Sequence, residues 1–359
     1  MSTVSNKKIH IELMRVLACY AVIFNHTLEK GFFLYIERPV GSISFWCYLM
    51  ISLLTKFNVP LFFAVSGALL LKKDEPIKDL FKKRVARCCA VLLLFSAAYY
   101  IYGRFYDEPG PFTAKDFLTL LYSDLVRAHL WYLYAYLAFL LMLPFLRPVA
   151  RAFKKEEMKY LLIIAFIFKA VLPIGEYLVF KGSAGLNGNL KSIWLMDNIV
   201  LFPLIGFYLE NRADLDRLVK KSVFLIAASA GGAIITAVMT WKKGVDNNYF
   251  SEAQSQGFYS CFTWLFCITL YVVIYGISRY KQVQKLNKPI CSIGGACFGI
   301  YLVHIMILRS KPIEDFLALM LKAGINDMIA CFIECLAVMV VSYILVLILK
   351  RLPVLKNLL

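Results

Sequence analysis

Residues 9–28, IHIELMRVLACYAVIFNHTL, are an apolar run of bilayer-crossing length that carries Glu12, Arg15 and His26. No other feature constrains the fold as tightly. A backbone in hydrocarbon must satisfy its own hydrogen bonds, so a single run of this kind is a helix. Ionisable side chains on such a helix are costly and face a bundle interior or a water-filled cavity. Arg15 and His26 are separated by a net rotation of about 20°, and Glu12 lies about 40° from His26. All three therefore share one face. The rise from Arg15 to His26 is about 16 Å, roughly half the hydrocarbon thickness. Such a face needs partner helices around it. The plainer alternative is an ion pair at the helix mouth with an interfacial histidine.

Ten apolar segments can be counted, near 9–28, 46–71, 88–106, 129–146, 160–180, 193–209, 222–241, 259–278, 290–309 and 328–349. The long second segment begins as an interfacial stretch. The 107–128 connection starts DEPGPFTAKD and reads as a loop followed by an amphipathic helix. Hydrophobic residues make up 60% of the chain and mean hydropathy is +0.68, more than a soluble domain of 359 residues requires. The expected fold class is all-α, a polytopic membrane protein of about ten transmembrane helices. A net charge of +17 would suit nucleic acid, but the basic residues sit in short segments between apolar runs, which argues against that partner. With the N terminus in the cytoplasm, the inside segments (Lys7 and Lys8, Lys72 to Arg87, Arg147 to Lys159, Arg212 to Lys221, Arg279 to Lys288 and Lys350 to Lys356) hold 25 of the 40 Lys and Arg residues, against 13 outside. That bias places both termini in the cytoplasm, Arg15 toward the inside and His26 near the outer surface. The first span lacks a small-residue cleavage site and is expected to be retained.

The ten cysteines include no Cys-x-x-Cys pair and no zinc spacing, so no metal site is expected and they read as small hydrophobes. No P-loop, dinucleotide fingerprint, nucleophile elbow or internal repeat occurs. Ser66-Gly67, ending the second span, suits close helix approach, with Ser66 a hydrogen-bonding candidate. Arg84 and Arg87 are neighbours on a helix. They serve either as forked phosphate donors or as part of the topology signal. His129 and Trp131 open the fourth span at the outer interface, where an aromatic anchor is the plainer reading of the tryptophan. His304 lies within the ninth span, three residues after Tyr301, in a position that suits a structural hydrogen bond. No role can be read for Lys169, Glu176, Asp197 or Glu334.

Together these pieces resemble acyltransferase family 3, the integral-membrane O-acyltransferases, and in particular its single-domain members that acetylate surface polysaccharides. The resemblance runs over nearly the whole chain. It is carried by Glu12-x-x-Arg15 with His26 eleven residues on, FFAVSG at 62–67, Phe81 with Arg84-x-x-Arg87, HLWYL at 129–133, Pro144, FPLIGFYL at 202–209 and FGIYLVH at 298–304. Cys297 stands where the family usually has serine. Residues 1–359 are expected to be one membrane-embedded domain with no appended soluble domain.

The resemblance implies a cytoplasmic acyl-CoA donor, usually acetyl-CoA, and an acceptor hydroxyl on an extracytoplasmic or lipid-linked glycan at the cell (plasma or inner) membrane. The donor is a polyanion, and Arg84 and Arg87 are the cofactor-binding candidates. His26 is then the catalytic base, with Arg15 and Glu12 beside it, since histidine titrates near working pH. An acyl-histidine intermediate is the alternative. His129, Trp131, Ser66, Tyr301 and His304 are candidates for the substrate side. Two other classes fit an intramembrane charged face: a transporter or flippase, and an acyl-relay subunit that feeds a separate outer transferase. Transporters tend to show repeated halves with interrupted spans, and no such symmetry is visible here.

Overall fold

The computed structural model describes residues 8–106, 111–191, 193–250 and 258–359. Among them every regular element is helical. Helix α1 (Ile9–Asn25) is followed by α2 (Ile43–Leu54) and α3 (Asn58–Leu70), which a 3₁₀ turn joins into one 28-residue span. At about 1.5 Å per residue this exceeds a hydrocarbon core of about 30 Å, so its first turns reach beyond the apolar layer. Helix α4 (Ala86–Tyr106) begins after a π turn at Phe81–Val85. Helix α5 (Ala114–Ser123) is the amphipathic helix expected in the 107–128 connection, although Asp107–Gly110 lie outside the described residues, as does Lys7. There follow α6 (Trp131–Ala152), α7 (Lys155–Phe166) and α8 (Leu172–Phe180) around a second π turn, α9 (Asn198–Asn211), α10 (Ser222–Asp246) and α11 (Thr263–Ser278). The chain closes with α12 (Asn287–Gly294), α13 (Cys297–Leu308), α14 (Lys311–Lys322), α15 (Asp327–Leu349) and α16 (Pro353–Leu358).

Among the described residues, six helical stretches are long and apolar enough to cross a membrane, or seven with the bent pair α12–α13 counted as one. Helices α1, α9 and α11 are shorter, at 17, 14 and 16 residues. Helix α9 is buried on nearly every side, as expected of a helix that is apolar all round. Helix α1 is central and packs against α3, α11, α12, α13 and α15.

The tightest crossing explains two of the sequence motifs. A Cβ on Gly67 would collide with the backbone of Pro203, and one on Gly206 with the backbone of Ala64. FFAVSG and FPLIGFYL are thus the two halves of an α3–α9 contact in which glycine lets the backbones meet.

The segment 290–309 reads as one straight span in the sequence. In the structure it is two helices bent by 65° around Gly294-Gly295. Glycine pairs are a common cause of sharp kinks. Gly294 is also a point of close approach, where a Cβ would strike the Glu12 carboxylate and crowd the α1 backbone.

The residues without a sequence-based role are mostly structural. Lys169 donates to Asn198 Oδ1 at 3.2 Å, Glu176 accepts from the Leu186 N–H at 2.9 Å, and Asp197 caps α9 through the Ile199 N–H. Glu334 is fully buried in α15, with neither carboxylate oxygen hydrogen-bonded to a described residue.

Candidate active site

Alternation of the helices brings residues distant in sequence to two ends of one cavity of about 840 Å³. Lys83, Arg84 and Arg87 line it at the end where the chain's N-terminal helix begins, and His26 and His129 line it at the other. Arg15, Ser66, Tyr132 and Tyr301 also line it.

At the cationic end, Glu75 organises the arginines. Its carboxylate accepts from Arg84 Nε at 2.9 and 3.2 Å and from Arg147 Nη2 at 3.0 Å. Arg147 is 6% exposed and also donates to the carbonyls of Leu70 and Glu75. Partial burial pushes the Glu75 carboxyl up, but the hydrogen bonds from Arg84 and Arg147 outweigh it and hold its pKa below the usual carboxylate range. Arg84 sits in the π turn, a local geometry frequent at functional sites. Arg87 donates from Nε and Nη2 to the Leu358 carbonyl at 3.2 and 3.0 Å, and Leu359 reaches the cavity lining.

Along the cavity, Arg15 Nη1 donates to both Glu12 oxygens, at 3.1 and 3.4 Å. Glu12 is buried against Gly294, while Arg15 is about one-third exposed and faces the cavity. The shared helix face therefore resolves into a buried brace, Glu12, and two cavity-lining groups, Arg15 and His26.

The histidine end could not be read from spacing. His26, His129 and His304 lie on three different chain segments, and their ring centroids are 5.0 Å (26 to 304), 5.5 Å (129 to 304) and 6.2 Å (26 to 129) apart. The hydrogen bonds fix the tautomers. His304 Nδ1–H donates to the Tyr301 carbonyl at 2.6 Å, which leaves its Nε2 as an acceptor. His26 Nδ1–H donates to the Val22 carbonyl at 2.7 Å and lies 3.2 Å from His304 Nε2. His26 Nε2 consequently carries a lone pair. His129 is buried, with the Tyr99 ring edge-on at 4.6 Å, and its Nε2 has no hydrogen-bond partner among the described residues.

The remaining candidates are placed as follows. Ser66 Oγ donates to the Phe62 carbonyl, and the Tyr301 hydroxyl donates to the His129 carbonyl at 2.7 Å, so both hydroxyls are engaged. Trp131 is 43% exposed at the rim. Cys297 lines the cavity, and its thiol lies 3.4 Å from the Ile293 carbonyl. Sequence reasoning missed Glu75 and Arg147 as organisers of the arginines. Nor did it bring His304 beside His26. No sequence signal marked Arg147, because its burial is not visible in sequence.

The model of one protein family, described as an acyltransferase domain, matches residues 9–351. No curated protein and no solved structure matches the chain.

Proposed function

The chain belongs to acyltransferase family 3 and is a multi-pass membrane acyltransferase, and from that premise we propose that it moves an acetyl group from cytoplasmic acetyl-CoA to a glycan hydroxyl on the far side of the membrane. The observation that carries this reading is the continuity of one cavity from Lys83, Arg84 and Arg87 to His26. A polyanionic donor with a long, thin thioester arm suits that shape. Its phosphates would meet the Nη groups of Arg84, which Glu75 orients by accepting at Nε, and would exchange with the Leu358 carbonyl now held by Arg87. The basic bias of 25 to 13 supports ten crossings with both termini in the cytoplasm of a plasma or inner membrane.

The chemistry follows from the tautomers. His26 Nε2 takes the proton of the acceptor hydroxyl as its oxygen attacks the thioester carbonyl carbon. A C–O bond forms, the C–S bond breaks, and the leaving thiolate recovers the proton from His26. While His26 is cationic, its Nδ1–H is held by the Val22 carbonyl and by His304 Nε2. This is the orienting role that a carboxylate fills in other triads. His304 is thus a positioning residue. His129 Nε2, buried and without a partner among the described residues, would carry the proton that it donates to the carbonyl oxygen as that oxygen gains charge. Arg15, braced by Glu12, steers the donor along the cavity.

The test uses labelled acetyl-CoA and membranes containing this protein as the added enzyme. Label in a glycan supports the reading. Label retained on the protein would favour the acyl-relay alternative, and no label in either would favour a transporter.

A further inference from the structure

A second cavity, of about 600 Å³, meets the first at His26 and Leu28, the two residues common to both linings. It is walled by the segment after α1 and by the α13–α14 turn, with Thr27, Glu29, Tyr102, Arg309 and Ser310 among its lining. This cavity offers hydrogen-bond donors and acceptors side by side. Its other cations are occupied. Lys30 lies 3.6 Å from the Glu314 carboxylate and Lys311 lies 2.8 Å from Asp315. Arg309 is exposed and forms no ion pair with a described residue. Its charge nevertheless reaches inward. Partial burial first, and the Arg309 guanidinium second, press the pKa of neighbouring Arg127 below its ordinary value.

We infer that the acceptor reaches His26 through this second cavity, and that Arg309 binds it there as a hydroxyl-rich saccharide. The inference rests on the acyl-transfer reading above. It gives each substrate its own route to one imidazole, so a bulky acceptor never has to pass the acylated arm. A ring of hydroxyls both donates and accepts. Arg309 supplies a fork of donors, and Glu29, exposed on the same wall, supplies acceptor oxygens. A purely apolar acceptor would leave these groups unanswered.

The experiment compares Arg309→Ala, Ser310→Trp and Trp131→Ala with wild type. The donor is radiolabelled acetyl-CoA, the acceptor is the membrane-associated glycan of the producing cells, and protein abundance is matched. Arg309→Ala should lower glycan labelling at least about tenfold, as loss of a charge-assisted contact commonly does. Ser310→Trp, which obstructs the cavity, should lower it further. Both should bind CoA as wild type does. Arg309 lies on the surface, so its variant stays informative if the tryptophan variant fails to fold. Full labelling in Arg309→Ala together with loss in Trp131→Ala would overturn the inference and route the acceptor through the first cavity. Full labelling in all three would overturn it as well. Retained transfer in His26→Ala would instead sink the parent reading, which separates the two failures.

Discussion

At the cationic end of the cavity, Arg84 and Arg87 come from one helical segment, and charged or carbonyl groups near the protein surface hold them. At the histidine end, His26 and His304 are 278 residues apart and meet ring to ring in a packed interior with His129. The first end is built from local spacing and exchangeable hydrogen bonds, so it can release its partners and take a phosphate. The second is built from tertiary convergence, with tautomers fixed by backbone carbonyls, so it can hold one proton-accepting geometry. A donor-binding end and a reacting end thus call for different construction within a single cavity.

The sharpest way to break this comparison is at His26. His26→Ala should lower kcat by about 10²–10⁴-fold at matched abundance, because a positioned base is hard to replace. Next in size is His304→Ala, which removes an acceptor from the cationic form of His26. A fall in kcat of roughly tenfold or more is expected from a lost charge-assisted hydrogen bond, with donor KM unchanged and partial rescue in His304→Gln. A merely structural role would lower abundance and leave kcat per folded molecule intact.

The cationic end should respond in KM. Arg84→Ala with Arg87→Ala should raise donor KM at least about tenfold. Lys72→Ala, on an exposed side chain of the same segment, should do much less. Equal small effects at all three positions would reduce the segment to a topology signal.

The smallest expected effect is a pH dependence. Because the Glu75 carboxyl is held below its ordinary value, its clamp on Arg84 and Arg147 is intact above the usual carboxylate range and is lost as pH falls through the depressed value. Donor KM should therefore stay flat from pH 8 to about 5 on this account and rise only in stronger acid. Glu75→Gln should show the raised KM already at neutral pH. A rise in wild-type KM that begins at neutral pH would assign the control to another group.

Much of this was legible in the chain. The shared face of Glu12, Arg15 and His26 follows from helical period alone, and both Arg15 and His26 do line the cavity. The glycine motifs announce close packing, and the α3–α9 crossing is where it occurs. The contact of His304 with His26 was not legible, because periodicity orders residues around one helix and says nothing about which helices meet. The close approach of Gly294 to the Glu12 carboxylate was hidden for the same reason, since the two lie on different helices. Glu75 and Arg147 looked like ordinary members of a basic surface until burial set Arg147 apart.

The most direct measurement is equilibrium binding of CoA to purified protein in lipid nanodiscs, for wild type, His26→Ala and the Arg84→Ala/Arg87→Ala double variant. If one cavity has a binding end and a reacting end, His26→Ala binds CoA as tightly as wild type while transferring no acyl group, and the double variant binds at least about tenfold more weakly. Lost CoA binding in His26→Ala, or wild-type binding in the double variant, would contradict the division of the cavity into those two ends.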